Sequence, residues 1–313
     1  MNRKVLVAAP VHPLLIKGLQ DLGYDCQYLP NITNDQALLK IEEYEGVITS
    51  TRLNIDKQFI DQAISLKWVG RMGSGMEIMD TTYADEKGIF YCSSPAGNAH
   101  AVAEQALGML LSLQHKILQA HLEIKEHIWR REENRGIEIA GRTAGIIGMG
   151  HNGTAFARML HSMGVQVLAY DKYKTGYQEP GIEECNSLRA IQERAEILSF
   201  HVPLTRETTH YFDREFLSQM KQPFVLLNLS RGPVVDMEVL EDGLHSGRIF
   251  AAALDVWETE PYAKMDPNMQ QRFDRLMQLP QFIGTPHIGG YTQNALVKMS
   301  QIVLDKISAF LTQ

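Results

Sequence analysis

The chain has 313 residues, 44% of them hydrophobic, which is enough for two domains that each bury a core. Its net charge of -7 comes without blocks of like charge, which excludes nucleic acid or an anionic membrane as an expected partner. Three scattered cysteines indicate neither a disulfide framework nor a zinc site, and no metal site is expected. No run approaches the roughly 20 apolar residues of a membrane span, and none resembles a signal peptide, so we expect a cytoplasmic protein.

Short apolar runs alternate with segments of helical period, which is the pattern of an α/β protein with parallel sheets. In the first third, the pattern predicts strands at 5–9, 47–51, 68–71 and 90–92 and helices at 13–22 and 57–64. A second series of strands is predicted at 144–148, 165–170, 197–201, 224–228, 250–256 and 282–285. Between the series, 98–122 is predicted as a bridging helix and 129–135 as a solvated loop, and 294–310 is predicted as a terminal helix.

Residues 148–153 read GMGHNG, a G-x-G-x-x-G string that closes a predicted strand and opens an amphipathic helix. At such a place the helix N-terminus attracts a pyrophosphate, and glycine allows the backbone to approach it closely. The next predicted strand ends at Asp171, whose carboxylate can accept hydrogen bonds from an adenosine ribose and would repel a 2′-phosphate. The pattern predicts a dinucleotide site for NAD rather than NADP, although Lys172 and Lys174 leave room for the phosphorylated form.

Three later predicted strands end in chemically active strings: NLSRGP at 228–233, DVWETEP at 255–261 and TPHIGG at 285–290. Ligands bind beyond the carboxyl ends of strands in open α/β sheets, so these side chains are expected to lie around one ligand. Together with the glycine string and HVPLT at 201–205, the strings resemble in order and spacing those of the D-isomer-specific 2-hydroxyacid dehydrogenases. The resemblance covers nearly the whole chain.

This resemblance implies that Arg231 binds the substrate carboxylate and polarises the C2 oxygen. It implies that His287 moves the proton and that Glu260, rather than the neighbouring Glu258, holds the imidazole. The chemistry agrees, because an imidazole titrates near neutrality and a nearby carboxylate favours the imidazolium that reduction of a keto acid requires. Arginine suits the anchoring role because its planar fork can grip a carboxylate through two hydrogen bonds.

The resemblance also implies two doubly wound parallel-sheet domains and, in most members, a homodimer formed through the cofactor domain. Residues 1–98 with 288–313 would form a flavodoxin-like substrate-binding domain, and residues 99–287 a Rossmann NAD-binding domain. The implied cofactor contacts, with Asp255 facing the nicotinamide carboxamide, are Gly148, Gly150, His151, Asn152, Gly153, Asp171, Val202, Pro203, Thr208, Leu229, Ser230, Asp255, Gly289 and Gly290. The substrate contacts would be Ser74, Gly75, Arg231 and Arg52, although Arg52 would equally well be a plain surface residue.

The predicted activity is hydride transfer between a nicotinamide and C2 of a small 2-hydroxy or 2-oxo acid. The candidate substrates are 3-phosphoglycerate and, as a competitor, glyoxylate or hydroxypyruvate; a non-catalytic NAD-sensing regulatory protein is the alternative from another class. The chain ends soon after its last predicted helix, so no regulatory C-terminal domain is expected. The chain departs from the family pattern at His151-Asn152, where an arginine and an aliphatic residue are common, and at Glu77, where an aspartate is usual. It also has Lys172 where a proline often follows the ribose-binding acid.

Overall fold

The computed structural model describes residues 3–312. The strands are β1 Arg3–Val7, β2 Tyr24–Tyr28, β3 Gly46–Thr49, β4 Trp68–Arg71, β5 Phe90–Ser93, β6 Thr143–Ile147, β7 Gln166–Tyr170, β8 Ile182–Glu184, β9 Ile197–Phe200, β10 Phe224–Asn228, β11 Ile249–Leu254 and β12 Phe282–Gly284. The helices are α1 Pro13–Asp21, α2 Asn34–Leu38, α3 Lys57–Gln62, α4 Thr81–Glu86, α5 Pro95–Gln114, α6 Ile117–Lys125, α7 His151–Ser162, α8 Arg189–Arg194, α9 Arg214–Gln219, α10 Met237–His245, α11 Pro267–Met277 and α12 Gln293–Leu311. Short 3-10 helices lie at Ile41–Glu43, Gly232–Val234 and Tyr262–Lys264. Within residues 3–312, no helix combines the length and the apolar character needed to cross a membrane.

The chain divides into two compact units, one comprising the residues up to Ala99 and from Tyr291 onward, the other His100–Gly290. The first unit holds a five-stranded sheet in which every pairing is parallel. Its strand order, β2-β1-β3-β4-β5, is the flavodoxin-like order of a doubly wound fold.

Both faces of the first sheet are covered. On one face Leu6, Val47 and Phe59 belong to a core of buried residues between the strands and the short helices. On the other face α12 packs against β4, where Gly70 leaves room for Val303. A helix from the C-terminal end of the chain therefore completes this unit.

The second unit holds a seven-stranded parallel sheet in the order β12-β11-β10-β9-β6-β7-β8. Counted from β6, this is the Rossmann order, with the chain reversing direction across the sheet between β6 and β9. The side chains of β10 alternate, as the period of a strand requires. Phe224 and Leu226 join the core on one face, whereas Val225 and Leu227 join the core that α5 and α7 cover on the other.

The predicted strands are all present, with ends within two residues of those expected, but sequence reasoning does not find β2 or β8. Both are edge strands that are partly exposed and rich in polar residues, so they lack the apolar run of a central strand. The prediction of one helix over 98–122 is wrong. That segment contains all but the first three residues of α5 and most of α6. The two helices are separated at Lys116, whose φ of +51° is left-handed and cannot continue a right-handed helix.

Candidate active site

The glycine loop, residues 148–153, connects β6 to α7. Gly148 has a φ of +96°, and a Cβ there would lie 2.6 Å from the carbonyl oxygen of His201. A Cβ at Gly153 would lie only 1.9 Å from the carbonyl oxygen of Gly148. Both positions therefore require glycine for the packing of this turn itself.

Gly150 is different, because a Cβ built on it meets nothing within 4 Å. It is the N-cap of α7, and no side chain caps the helix there, so the first amides of the helix, including those of His151 and Asn152, lack an intrahelical partner. Open space in front of an uncapped helix N-terminus fits an anionic group such as the pyrophosphate of a dinucleotide.

Asp171 follows β7 and is fixed beside the glycine loop. Its Oδ2 accepts a hydrogen bond from the Met149 amide at 2.7 Å, and its Oδ1 accepts from the amides two and three residues further on, at 3.0 Å each. The two nearby lysines are engaged: Lys172 pairs with Glu207 at 2.6 Å, and the Lys174 ammonium donates to the carbonyl oxygen of Met149 at 3.0 Å. Asp171 therefore has a fixed orientation beside the glycine loop, and both nearby lysines already have partners other than its carboxylate.

The loop after β9 lies against the glycine loop, since a Cβ at Gly148 would be 3.1 Å from the side chain of Val202. The Thr208 hydroxyl closes this loop. It donates to the carbonyl oxygen of Pro203 at 2.6 Å and accepts from the Thr205 amide at 2.8 Å. The hydrogen bonds hold residues 202 and 203 at the point where the strand order of the sheet reverses.

The arginine loop, residues 229–232, follows β10 and is held by a side chain that sequence reasoning missed. Asn228 is fully buried, and its Nδ2 donates to the carbonyl oxygen of Arg231 at 2.9 Å. Its Oδ1 accepts from the amide and the hydroxyl of Ser230 at 3.1 and 2.8 Å. Arg231 in turn donates from Nη1 to the Ser230 carbonyl oxygen at 2.7 Å. The signal in the sequence is an amide residue at the end of a wholly apolar strand, where it must be buried and hydrogen-bonded.

Glu260 is the partner of His287, with 2.7 Å between Oε2 and the imidazole Nδ1. The other oxygen of Glu260 accepts from the Trp257 amide at 2.9 Å. Glu258 instead lies 3.3 Å from Nε2 of His210. His287 is thus paired with Glu260 rather than with Glu258. The pair uses Nδ1, so Nε2 of the half-exposed imidazole can interact with another group.

The three charged groups influence one another. The hydrogen bond to Glu260 raises the pKa of His287; burial opposes this, the charges of Glu260 and Asp255 add to it, and the charge of Arg231 lowers it. Burial would raise the pKa of Glu260, but hydrogen bonds from His287 and Trp257, with the charges of His287 and Arg231, hold it below its usual value. Arg231 therefore lies close enough to act electrostatically on the pair, which favours a protonated imidazole beside an ionised carboxylate.

The histidine loop, residues 285–290, lies beside the arginine loop. A Cβ at Gly289 would be 3.5 Å from the side chain of Leu229, which is itself buried. The Gly289 amide donates to Oδ2 of Asp255 at 2.7 Å, and Gly290 ends the loop at the boundary of the unit. Asp255, at 1% exposure, is thus engaged with this loop.

In the first unit, Ser74 and Gly75 belong to the 72–77 loop, which follows β4. The Ser74 hydroxyl lies 3.1 Å from Oδ1 of Asn98. Within residues 3–312, the backbone amides of Ser74 and Gly75 donate to no protein group. Two adjacent amides without acceptors are suited to receiving a carboxylate.

Sequence reasoning also missed Arg71, a buried cation at the base of the 72–77 loop. It donates to Glu77 at 2.9 Å and to the carbonyl oxygen of Ser50 at 3.3 Å, so it ties this loop to the one after β3. Arg52, on the loop after β3, is exposed. A buried charge at a strand end is the signal that could have identified Arg71.

Comparison with known proteins decides the family. Residues 107–289 match the NAD binding domain of the D-isomer specific 2-hydroxyacid dehydrogenases. A hydroxypyruvate reductase of Thermotoga maritima is 31% identical over 277 residues, which is 88% of each protein. The chain belongs to the D-isomer specific 2-hydroxyacid dehydrogenase family. The resemblance seen in the sequence strings is thereby confirmed, as is the nicotinamide dinucleotide NAD as the cofactor of the domain.

Some relatives are considerably longer than this chain. A D-3-phosphoglycerate dehydrogenase of Methanocaldococcus jannaschii is 33% identical over 310 residues, covering 98% of this chain but 57% of the relative. The chain therefore spans little more than half the length of the phosphoglycerate dehydrogenases it matches.

A D-lactate dehydrogenase of Treponema pallidum superposes with a TM-score of 0.82 at 27% identity, over 99% of this chain and 97% of the other. The D-lactate dehydrogenase of Aquifex aeolicus, complexed with NAD and lactic acid, shares the fold with a TM-score of 0.84 at 24% identity, over 99% and 96% of the two chains.

Proposed function

We propose that the protein is an NAD-dependent oxidoreductase that interconverts a small 2-hydroxy acid and its 2-oxo acid. The observation that carries this proposal is the His287–Glu260 pair, 2.7 Å apart, under the influence of Arg231 at the strand ends of a dinucleotide-binding sheet. An imidazole held by a carboxylate next to a guanidinium can exchange a proton with a substrate hydroxyl whose carboxylate is anchored.

The glycine loop and Asp171 would hold the cofactor, with the pyrophosphate at the uncapped N-terminus of α7 and the adenosine ribose at the carboxylate. The remaining proposed contacts line the loops that follow β9, β10 and β11 and the histidine loop: Val202, Pro203, Thr208, Leu229, Ser230, Asp255, Gly289 and Gly290. NAD supplies the hydride acceptor and, when reduced, the hydride donor.

Arg231 would bind the substrate carboxylate and polarise the C2 oxygen. In the first unit, the amides of Ser74 and Gly75 are suited to binding a carboxylate. In the direction of reduction, protonated His287 donates its proton to the C2 oxygen; in oxidation, neutral His287 accepts it. Glu260 orients the ring and stabilises the imidazolium. The first unit would therefore serve as the substrate domain and the second as the NAD-binding domain.

Two substrate classes are proposed. One is 3-phosphoglycerate, which the names of several relatives suggest and for which the exposed Arg52 could meet a phosphate. The other is glyoxylate or hydroxypyruvate, which the name of the relative matched over 88% of its length suggests. Both classes carry a carboxylate next to a C2 oxygen, which is a hydroxyl in 3-phosphoglycerate and a carbonyl in glyoxylate and hydroxypyruvate. Arg231 and His287 would recognise these two groups.

The test follows the absorbance of NADH with a panel of glyoxylate, hydroxypyruvate, 3-phosphohydroxypyruvate and pyruvate. We expect turnover with at least one acid and near-total loss of it in His287→Ala. We expect Arg231→Ala to raise the KM for the acid and lower kcat. NADH binding without turnover of any acid would instead favour a non-catalytic NAD-sensing protein.

We also propose a homodimer formed through the NAD-binding domain. The helix α6 and the turn after it expose a set of apolar side chains: Ile117, Leu118, Leu122, Ile124 and Trp129. Light scattering should give twice the 35.3 kDa chain mass. Leu122→Glu should shift the mass to that of one chain, whereas Leu39→Glu, at an 86% exposed leucine of the other unit, should not.

A cytoplasmic location is part of the same proposal. Cys26, Cys92 and Cys185 are all unpaired, as expected of a protein kept under reducing conditions. Fractionation of cells that produce the protein would test the location, and recovery outside the cytoplasm would contradict it.

A further inference from the structure

His287 adopts a backbone conformation that a histidine does not choose by itself. Its φ is +57°, in the left-handed region that L-residues other than glycine populate rarely. Such a conformation persists only where the surrounding structure fixes it. Glu260 contacts the imidazole but not the backbone of this residue, so another group must hold the histidine loop.

Asp255 provides this hold from both sides of His287. Its Oδ1 accepts hydrogen bonds from the Thr285 hydroxyl at 2.5 Å and the Ile288 amide at 2.9 Å, and its Oδ2 accepts from the Gly289 amide at 2.7 Å. One carboxylate therefore fastens the loop two residues before the histidine and one and two residues after it.

The carboxylate is itself fixed. Asp255 follows β11 directly, is 1% exposed, and its amide donates to the carbonyl oxygen of Asn228 at 3.0 Å. Hydrogen bonds to a carboxylate are shorter and stronger than those to a neutral acceptor, and this buried carboxylate has three donors. The histidine loop is thus attached to the sheet rather than to solvent-exposed side chains.

We propose that Asp255, together with Thr285, is a positioning residue that presents His287 to Glu260 and to the substrate for proton transfer. The inference rests on the function proposed above, and it gives Asp255 a second role beside the contact with the nicotinamide carboxamide. It predicts that removing the hydrogen bonds of Asp255 impairs the proton step even where the cofactor still binds.

Asp255 also acts on His287 through its charge. The groups that act on His287 within its unit are Glu260 and Asp255, which favour the imidazolium, and Arg231, which opposes it. Replacing Asp255 by asparagine removes one of the two favourable charges and sets an NH₂ group against donors that the carboxylate accepted. The neutral form of His287 should then appear at lower pH.

The first test uses Thr285→Val, which keeps the shape of the side chain and the charge of Asp255 but removes the hydroxyl. We expect kcat for 2-oxo acid reduction to fall about tenfold, the loss expected for one hydrogen bond to a charged group. Thr285→Ser should restore the rate, because it retains the donor. The NADH dissociation constant, measured by fluorescence, should stay within about twofold in both variants, since a tenfold change would need a lost cofactor contact.

The second test follows the imidazole of His287 by NMR titration, with His287→Gln used to assign its signal. We expect the pKa to be lower in Asp255→Asn than in the wild type. In assays of that variant, the alkaline limit of reduction should move to lower pH by about half a unit.

Unchanged kcat in Thr285→Val would overturn the inference. So would an Asp255→Asn protein whose only defect is weaker NADH binding, with the His287 titration in place, because Asp255 would then be a cofactor contact alone. If the wild type turns over no 2-oxo acid, the proposed function fails instead, and the titration still decides whether Asp255 governs His287.

Discussion

The stability of the fold should depend on pH through His201, which lies under the glycine loop. Its Nδ1 is buried and, within residues 3–312, has no hydrogen-bond partner, while Nε2 lies 2.8 Å from the Ser199 hydroxyl. The ring packs against Phe156, with 5.6 Å between ring centroids. Burial lowers its pKa from 6.5 to about 4, so the folded protein holds this imidazole neutral.

His201 makes the protein less stable at lower pH, because the unfolded chain binds a proton there more readily than the folded protein does. Above pH 6.5 the histidine is neutral in both, and it adds no pH dependence. Below pH 6.5 the unfolded chain binds a proton at His201, whereas the folded protein does not bind it until about pH 4. The free energy of unfolding therefore decreases between these two pH values. The full loss is about 3.4 kcal/mol, of which about 2 kcal/mol is reached at pH 5.

The assay is urea unfolding of the cofactor-free protein at pH 7.5, 6 and 5, comparing the wild type with His201→Gln. The variant should be less stable than the wild type at pH 7.5 and should lose about 2 kcal/mol less on going to pH 5. His121→Gln, at an exposed histidine of α6, is the matched control and should follow the wild type. Parallel pH curves for the wild type and His201→Gln would refute the argument.

Three further outcomes are expected. Glu260→Gln should lower the pKa of His287, so that kcat/KM for 2-oxo acid reduction declines at a lower pH than in the wild type; an unshifted profile would contradict the pairing. Gly150→Ala should fold normally yet weaken NADH binding at least about tenfold, because its methyl group enters the open space before α7. Gly153→Ala should instead lower the melting temperature, because its methyl group would collide with the backbone of Gly148. Asn228→Asp, which exchanges the donor to the arginine loop for an acceptor, should raise the KM for the acid with little change in the NADH dissociation constant, and equal effects on both would argue for general unfolding.

The position of the chemistry along the chain could be predicted because parallel strands bring their carboxyl ends to one edge of a sheet. Strings that follow apolar runs, such as those containing Arg231 and His287, are therefore placed near one another once the strand series is recognised. The glycine loop follows from the same logic, since a strand, a turn and a helix each have a local signature. Central strands were found for this reason, and the polar edge strands β2 and β8 were not.

Conformation at single residues could not be predicted in this way. Lys116 is a good helix former by propensity, yet its left-handed backbone divides α5 from α6, so a weak local preference does not decide where the helix ends. The choice of Glu260 over Glu258 depended on a resemblance, since two acids two residues apart differ only in where the folded loop directs them.

Two residues that orient the candidate site share one property, which explains why sequence reasoning missed Asn228 and gave Asp255 only a cofactor contact. Asn228 and Asp255 are buried at the ends of neighbouring strands, and both form hydrogen bonds with the backbone of a loop. Nothing in a residue's type says whether a polar side chain at a strand end faces a ligand or fastens the loop beside it. The distinction is made by which backbone groups the loop leaves without partners, and that is settled only when the chain folds. A string that matches a family therefore gives the candidate reacting groups, and the buried donors and acceptors beside them hold the loops that carry those groups.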